Sequence, residues 1–221
     1  MSALPAAPKS AEERGHAALA LARDMLAFFD TQAAHITKSF TGAEGEGPAI
    51  ACRTGCAVCC RSEVSVSVSE TLLIHKAIQA MPDLAKAQVQ ARVETAFAAV
   101  HNIDKQARRR LKLDCPLLTD ESTCSVYAAR PLSCRSHVSF DLAACLIEKE
   151  VPEPPVAIPT SRSLTELRDR VRPRHRELES AIGIAAGRYE LIQSLHIMLS
   201  RRDAGQRLAR GEDVLRPARL P

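Results

Sequence analysis

Cys52-Arg-Thr-Gly-Cys56-Ala-Val-Cys59-Cys60 is the stretch on which the reading of this chain turns. Gly55 inside it marks a loop rather than a helix. The two-residue gap between Cys56 and Cys59 lets two sulfurs reach one ion from a single turn, which lowers the entropy of assembling a tetrahedral site. The adjacent pair Cys59-Cys60 behaves differently. Neighbouring side chains diverge, so these two sulfurs serve two centres more naturally than one, or one ligates while the other stays free.

A second block follows at Cys115-Pro116, Cys124 and Cys134-Arg135, then Cys145 stands alone, and the last 76 residues hold no cysteine. The candidate metal ligands are therefore Cys52, Cys56, Cys59, Cys60, Cys115, Cys124, Cys134 and Cys145. This set suffices for two tetrahedral zinc or iron ions, or for one iron–sulfur cluster with ligands to spare. His137 lies three residues after Cys134, but with thiols so plentiful a surface or hydrogen-bonding role is the simpler reading. His75 reads as a packing or surface group. A four-thiolate site around a divalent ion carries about −2, and Arg53, Arg61, Arg130 and Arg135 lie close enough in sequence to offset it. The plain alternative is that they are ordinary surface arginines.

Working outward, helical patterns flank both blocks. Leu26, Phe29, Ala33, Ile36 and Phe40 recur at spacings of three and four, so the pattern predicts a helix over 11–40. The glycine-rich run 41–48 ends it. Val64-Ser-Val-Ser-Val68 alternates like a strand but has no evident partner, and reads as an extended entry segment or a short edge pairing. Ser67-x-x-Glu70 is a capping box opening a helix to Met81, and a second helix is expected from Asp83 to Leu111. Residues 125–130 fit one helical turn, and 140–149 a short helix carrying Cys145. Ser163-x-x-Glu166 reads as another capping box. The helix it opens is expected to stop at Arg172, restart at Pro173 and continue through Leu178, Ile182, Tyr189, Ile192, His196 and Leu199.

The expected fold is mainly α: a helical domain with cysteine-rich metal-binding loops joining helices, plus C-terminal helices. The expected domains are a flexible leader at 1–10, a helical cysteine-cluster domain at 11–150, a Pro-rich linker at 151–160 and an Arg-rich region at 161–221. Aromatics make up 3% of the 221 residues and Trp is absent, so the core must be aliphatic and Ala-rich. Residues 160–221 hold 13 Arg and no Lys against 8 acidic residues, a local excess of +5. Such charge suits a solvated helix face or a protein partner. Nucleic acid is a weaker reading, because Tyr189 is the sole aromatic there and stacking platforms are missing. No export signal and no apolar run of transmembrane length is present, so a cytoplasmic protein without a membrane partner is expected. In that reducing compartment, clustered cysteines point to metal rather than disulfides.

Cys52-x3-Cys56-x2-Cys59-Cys60, Cys115-Pro-x-Leu and Cys124-x-Val-Tyr127-x2-Arg130-Pro131-x2-Cys134-Arg135 together resemble the bacterial YkgJ-type cysteine-cluster family of zinc- or iron-chelating domains. The resemblance covers about residues 50–146. It implies cytoplasmic metal chelation by these cysteines, with zinc or iron as the metal. Flagellin lysine methylases carry a similar cluster. This chain shows no glycine-rich loop of the kind that binds S-adenosylmethionine, so that activity is not carried over. No catalytic triad, phosphate-binding loop or paired carboxylates stand out. The leading expectation is thus a metal-binding protein. The alternatives are an iron–sulfur or di-iron redox or protein-modifying enzyme, and a zinc protein binding nucleic acid through its basic C-terminal helices.

Overall fold

The computed structural model describes residues 8–41, 48–111, 113–150 and 154–221. The fold is mainly α, as expected. Nine α-helices are present among the described residues: α1 Ala11–Thr41, α2 Val68–Gln79, α3 Asp83–Val100, α4 Lys105–Arg110, α5 Leu132–Arg135, α6 Leu142–Glu150, α7 Arg162–Ala181, α8 Leu191–Ser200 and α9 Ala204–Ala209. Two short strands, β1 Ser65–Val66 and β2 Tyr189–Glu190, pair antiparallel with Ser65 opposite Glu190 and Val66 opposite Tyr189.

Helix α1 packs against α2, α7 and α9 through Ala18, Ala22, Met25, Leu26 and Phe29, all buried. The two alanines on that stripe let neighbouring backbones approach closely, the economy expected of a core with few aromatics. Helix α2 is the most enclosed element, burying every residue from Val68 to Ile74 and then Ile78. Its capping box is present: Ser67 Oγ accepts from Glu70 N, and Glu70 Oε2 accepts from Ser67 N at 2.8 Å. Fully burying side chains such as Phe29, Ile74 and Ile78 stabilises the fold by about 1.5–3 kcal/mol each. Helix α3 lies along α8, where the Phe97 and His196 rings stack with centroids 3.7 Å apart.

Several sequence expectations are corrected. The helix expected over Asp83–Leu111 is two helices, because the chain turns at 101–104 and Asp104 caps α4 by accepting from Ala107 N at 2.7 Å. Pro173 does not interrupt α7, which runs through it for 20 residues. The cap of that helix is Ser161, whose Oγ accepts from Leu164 N, while Glu166 pairs with Arg162 at 2.7 Å. The helical stripe drawn from Leu178 to Leu199 breaks after Ala181. Gly183 there has φ +78°, a conformation that a side chain would strain. Tyr189 and Glu190, placed on a helix by their spacing, form instead the strand that the 64–68 segment lacked as a partner. Tertiary pairing overrides periodicity here. Tyr189 is fully buried, and its hydroxyl donates to Asp213 at 2.9 Å and accepts from Arg219 at 3.0 Å, tying the C-terminal segment down. Helix α9 and a 3-10 turn at Arg216–Ala218 were not anticipated. Residues 1–7 of the expected leader, 42–47 of the glycine-rich run and 151–153 of the Pro-rich linker lie outside the described residues.

Candidate metal centre

The first cysteine block is folded on itself by short-range hydrogen bonds. Cys56 N donates to Arg53 O and Cys60 N to Ala57 O, both at 3.0 Å, and Ser62 N donates to Cys59 O at 3.1 Å. Gly55, at φ +81°, supplies the reversal. Val58–Arg61 form one 3-10 turn. With three residues per turn, successive side chains start about 120° apart, yet the thiols of Cys59 and Cys60 still hydrogen-bond to each other.

What each faces is set by backbone contacts. Cys60 O accepts from Cys115 N at 2.7 Å, and Arg61 Nε is paired with Asp114 at 2.6 Å, so the second block is laced directly to the end of the first. Within that second block, Leu118 bridges to Cys124, Leu118 N donates to Cys115 O and Tyr127 N to Cys124 O. Cys134 follows on α5, its carbonyl accepting from Arg130 at 2.5 Å. On the other side, Ala51 N donates to Ser139 O at 2.8 Å, and Ser139 N donates to Cys52 Sγ at 3.3 Å. Helix α6, which begins three residues after Ser139, packs against the 3-10 turn and carries Cys145.

The electrostatics of the metal-free chain follow the same partition. Burial, then the charges of Cys59, Cys56 and Cys145, push the Cys52 thiol up. Cys60 is held down by a hydrogen bond from Cys59, against burial and the charges of Cys115, Cys134 and Cys124. Burial first, with Cys134 and Cys124 adding, pushes Cys115 up to about 12. Cys134 is likewise pushed up to about 12 by burial, with Cys59, Cys124 and Glu70 adding and Arg130 opposing. Cys59 is raised chiefly by the proton it shares with Cys60. Cys52 thus feels Cys56, Cys59 and Cys145, and Cys60 feels Cys115, Cys124 and Cys134, with Cys59 also acting on Cys134 across the two groups. They abut at the Cys59–Cys60 contact. Among the described residues no three His, Cys, Asp or Glu side chains are already gathered into a metal cage. The sulfurs are thus neighbours rather than closed tetrahedra.

The donor chemistry fits a soft or borderline metal, because sulfur selects zinc and iron over calcium or magnesium. Backbone N–H groups of Ser139, Leu117 and Val126 hydrogen-bond to Cys52, Cys115 and Cys124, and each favours the thiolate. Arg130 is the one cation felt by Cys59, Cys124 and Cys134 alike, and it also lies over the Tyr127 ring at 5.0 Å. Arg135 also acts on Cys124, while it donates to the carbonyls of Arg130 and Ala128 and is paired with Asp30 of α1. His137 is half-buried and held below its ordinary value by burial and Arg168, and His75 bonds Gln79 at 3.2 Å. Neither histidine acts on a cysteine in these contacts. The sequence reading missed Ser139 as a donor to sulfur and Glu70 as a strut, since Glu70 Oε1 accepts from Leu132 N at 2.7 Å at the start of α5. The capping-box motif was the available signal for Glu70.

Residues 51–152 match the family model described as "Putative zinc- or iron-chelating domain". No curated protein and no solved structure matches the chain. No helix among the described residues is long and apolar enough to cross a membrane.

Proposed function

We propose, from the match of residues 51–152 to a zinc- or iron-chelating domain, that this is a cytoplasmic metal-binding protein with two four-thiolate centres. Cys52, Cys56, Cys59 and Cys145 form one centre, and Cys60, Cys115, Cys124 and Cys134 form the other. Each takes one zinc or iron ion. The observation that supports the reading is the Val58–Arg61 turn itself, against which α6 with Cys145 packs while Cys60 O accepts from Cys115 N at 2.7 Å.

The bound ion would supply cross-linking between loops and, where a ligand exchanges, a Lewis-acidic surface. The chain's own residues do the rest. The N–H groups of Ser139, Leu117 and Val126 stabilise sulfur anions. Arg130 offsets part of the negative charge that four thiolates leave on a divalent site. Metal handling or structural stapling accounts for these features without a catalytic residue.

Anaerobic purification, elemental analysis and an absorption spectrum test this. Two ions per chain are expected. Cys52→Ser and Cys145→Ser should each remove one ion, and Cys115→Ser and Cys134→Ser the other. Labile sulfide accompanying a multi-iron absorption band would sink the reading in favour of an iron–sulfur cluster.

A further inference from the structure

A cleft of about 370 Å³ opens beside the cysteine cluster, between α7, the junction of β1 with α2, and the segment leading into β2. Arg172 on its wall donates at 2.7 Å to the Oγ of Ser133, the residue before Cys134. Two groups of α7 lie in it one turn apart: His175 is 5% exposed and Glu179 is 0% exposed. One end of each is engaged. His175 Nε2 is 2.7 Å from Ser69 Oγ, and Glu179 Oε1 accepts from Ser69 N at 2.8 Å. The other end is not. His175 Nδ1 and Glu179 Oε2 are buried and have no hydrogen-bond partner among the described residues. Buried polar atoms are rarely left unpaired, and two in one cleft ask for a partner from outside the chain.

The remaining groups define its chemistry. Arg172, Arg176 and Arg188 line the cleft: Arg188 donates to Pro221 O, Arg172 donates to the Oγ of Ser65 and Ser133, and no ion pair holds Arg176 among the described residues. Asp169 is paired with Arg168 at 2.8 Å. Glu70 uses Oε2 on Ser67 N and Oε1 on Leu132 N. The cleft thus offers the guanidinium groups of Arg172 and Arg176 together with one unfilled carboxylate acceptor, Glu179 Oε2. An anion by itself would answer the arginines and leave Glu179 unsatisfied.

We infer that this cleft binds a small ammonium carboxylate, an amino acid or close relative, with its carboxylate on Arg172 and Arg176 and its amine on Glu179 Oε2. His175 Nδ1 is a donor in one tautomer and an acceptor in the other, and takes a further polar group of the same ligand. The volume is at the lower end of the range for small-molecule sites, which suits a ligand of this size. The site stands apart from the cysteine ligands, so its occupancy is read separately from metal content.

The test uses the full metal-loaded chain, with calorimetry and thermal melting against the standard free amino acids, their N-acetylated counterparts and inorganic phosphate. At least one free amino acid should bind and raise Tm with concentration, its N-acetylated form binding at least about ten-fold more weakly. Arg176→Ala, at an exposed position, should weaken that binding about ten-fold with metal content and melting of the free protein unchanged. Glu179→Gln should erase the preference for the free amine. Silence of the whole panel at millimolar concentrations overturns the proposal and leaves a water-filled cleft. Phosphate or an N-acetylated acid binding as tightly as the free amino acid overturns it equally, as a general anion site.

Discussion

Replacing Glu70 with alanine should destabilise the protein by about 3–5 kcal/mol, because one carboxylate closes two backbone positions at once. Oε2 accepts from Ser67 N at 2.8 Å and so caps α2, and Oε1 accepts from Leu132 N at 2.7 Å at the first residue of α5. The side chain is 5% exposed, so water cannot replace it at either site. Hydrogen bonds to a charged acceptor contribute about 1.5–3 kcal/mol each, and relief of the buried carboxylate's desolvation offsets part of the sum. Glu70→Gln retains one acceptor oxygen and should cost about half as much. Ser67→Ala, which removes the reciprocal half of the box, should cost about 1 kcal/mol. Urea unfolding of the metal-loaded protein, followed by circular dichroism, gives all three values. The reasoning fails if Glu70→Ala costs less than about 1 kcal/mol, the typical size of one neutral hydrogen bond. It fails equally if glutamine proves no better than alanine.

Three further outcomes rest on burial and backbone geometry. In the metal-free chain burial lifts the Cys115 and Cys134 thiols from 9.0 to about 12, so the folded form keeps protons that the unfolded chain gives up. Their contribution is full below pH 9.0 and lost as pH climbs towards about 12. Metal-free stability, measured by urea midpoints across that window, should therefore fall, while the metal-bound chain, whose thiolates carry no proton, should not follow it. Gly211→Ala should cost about 3 kcal/mol by the same assay, since its φ is +88° and a Cβ would meet Gly183 O at 2.7 Å. Gly55→Ala, with nothing within 4 Å of its Cβ position, should show only the left-handed backbone penalty of about 1–2 kcal/mol.

What could be read from the sequence was local. The α2 capping box, the apolar stripe of α1 and the helix carrying Cys145 each depend on residues within a few positions of one another, so periodicity and spacing suffice. The divergence expected of Cys59 and Cys60 from adjacency is not what the structure shows, since their thiols hydrogen-bond to each other. The partner of the 64–68 strand was not. It lies more than a hundred residues away in Tyr189 and Glu190, and their spacing agrees equally well with a helix. Pro173 misled in the opposite direction: a proline removes one helical hydrogen bond, and packing of α7 on α1 overrides that loss. The contacts behind the proposed two sets were beyond reach as well, since they join Cys115 N to Cys60 O and Ser139 N to Cys52 Sγ. The buried pair His175 and Glu179 gave no signal, because an i,i+4 His and Glu on an arginine-rich helix looks like an ordinary solvated face.

The two cysteine sets are held by the protein to different degrees, and this bears on how they would release metal. Leu117, Val126, Ala129 and Leu132 of the second block are buried in the main core, with Cys115 and Cys124 packed against it. Those sulfurs are therefore positioned by hydrophobic burial before any ion arrives. The first set is less anchored: α6, which carries Cys145, buries Ala144 alone, and Cys52 is exposed. Ordering that loop must come largely from the metal, so part of the binding free energy is consumed in folding it. A preorganised site keeps that share as affinity. Stepwise chelation should therefore remove the ion of Cys52, Cys56, Cys59 and Cys145 first. Amide exchange should then rise over 50–61 and 142–150 while 115–134 stays protected. Loss of both ions in one step, or earlier opening of 115–134, would mean that burial does not set the order.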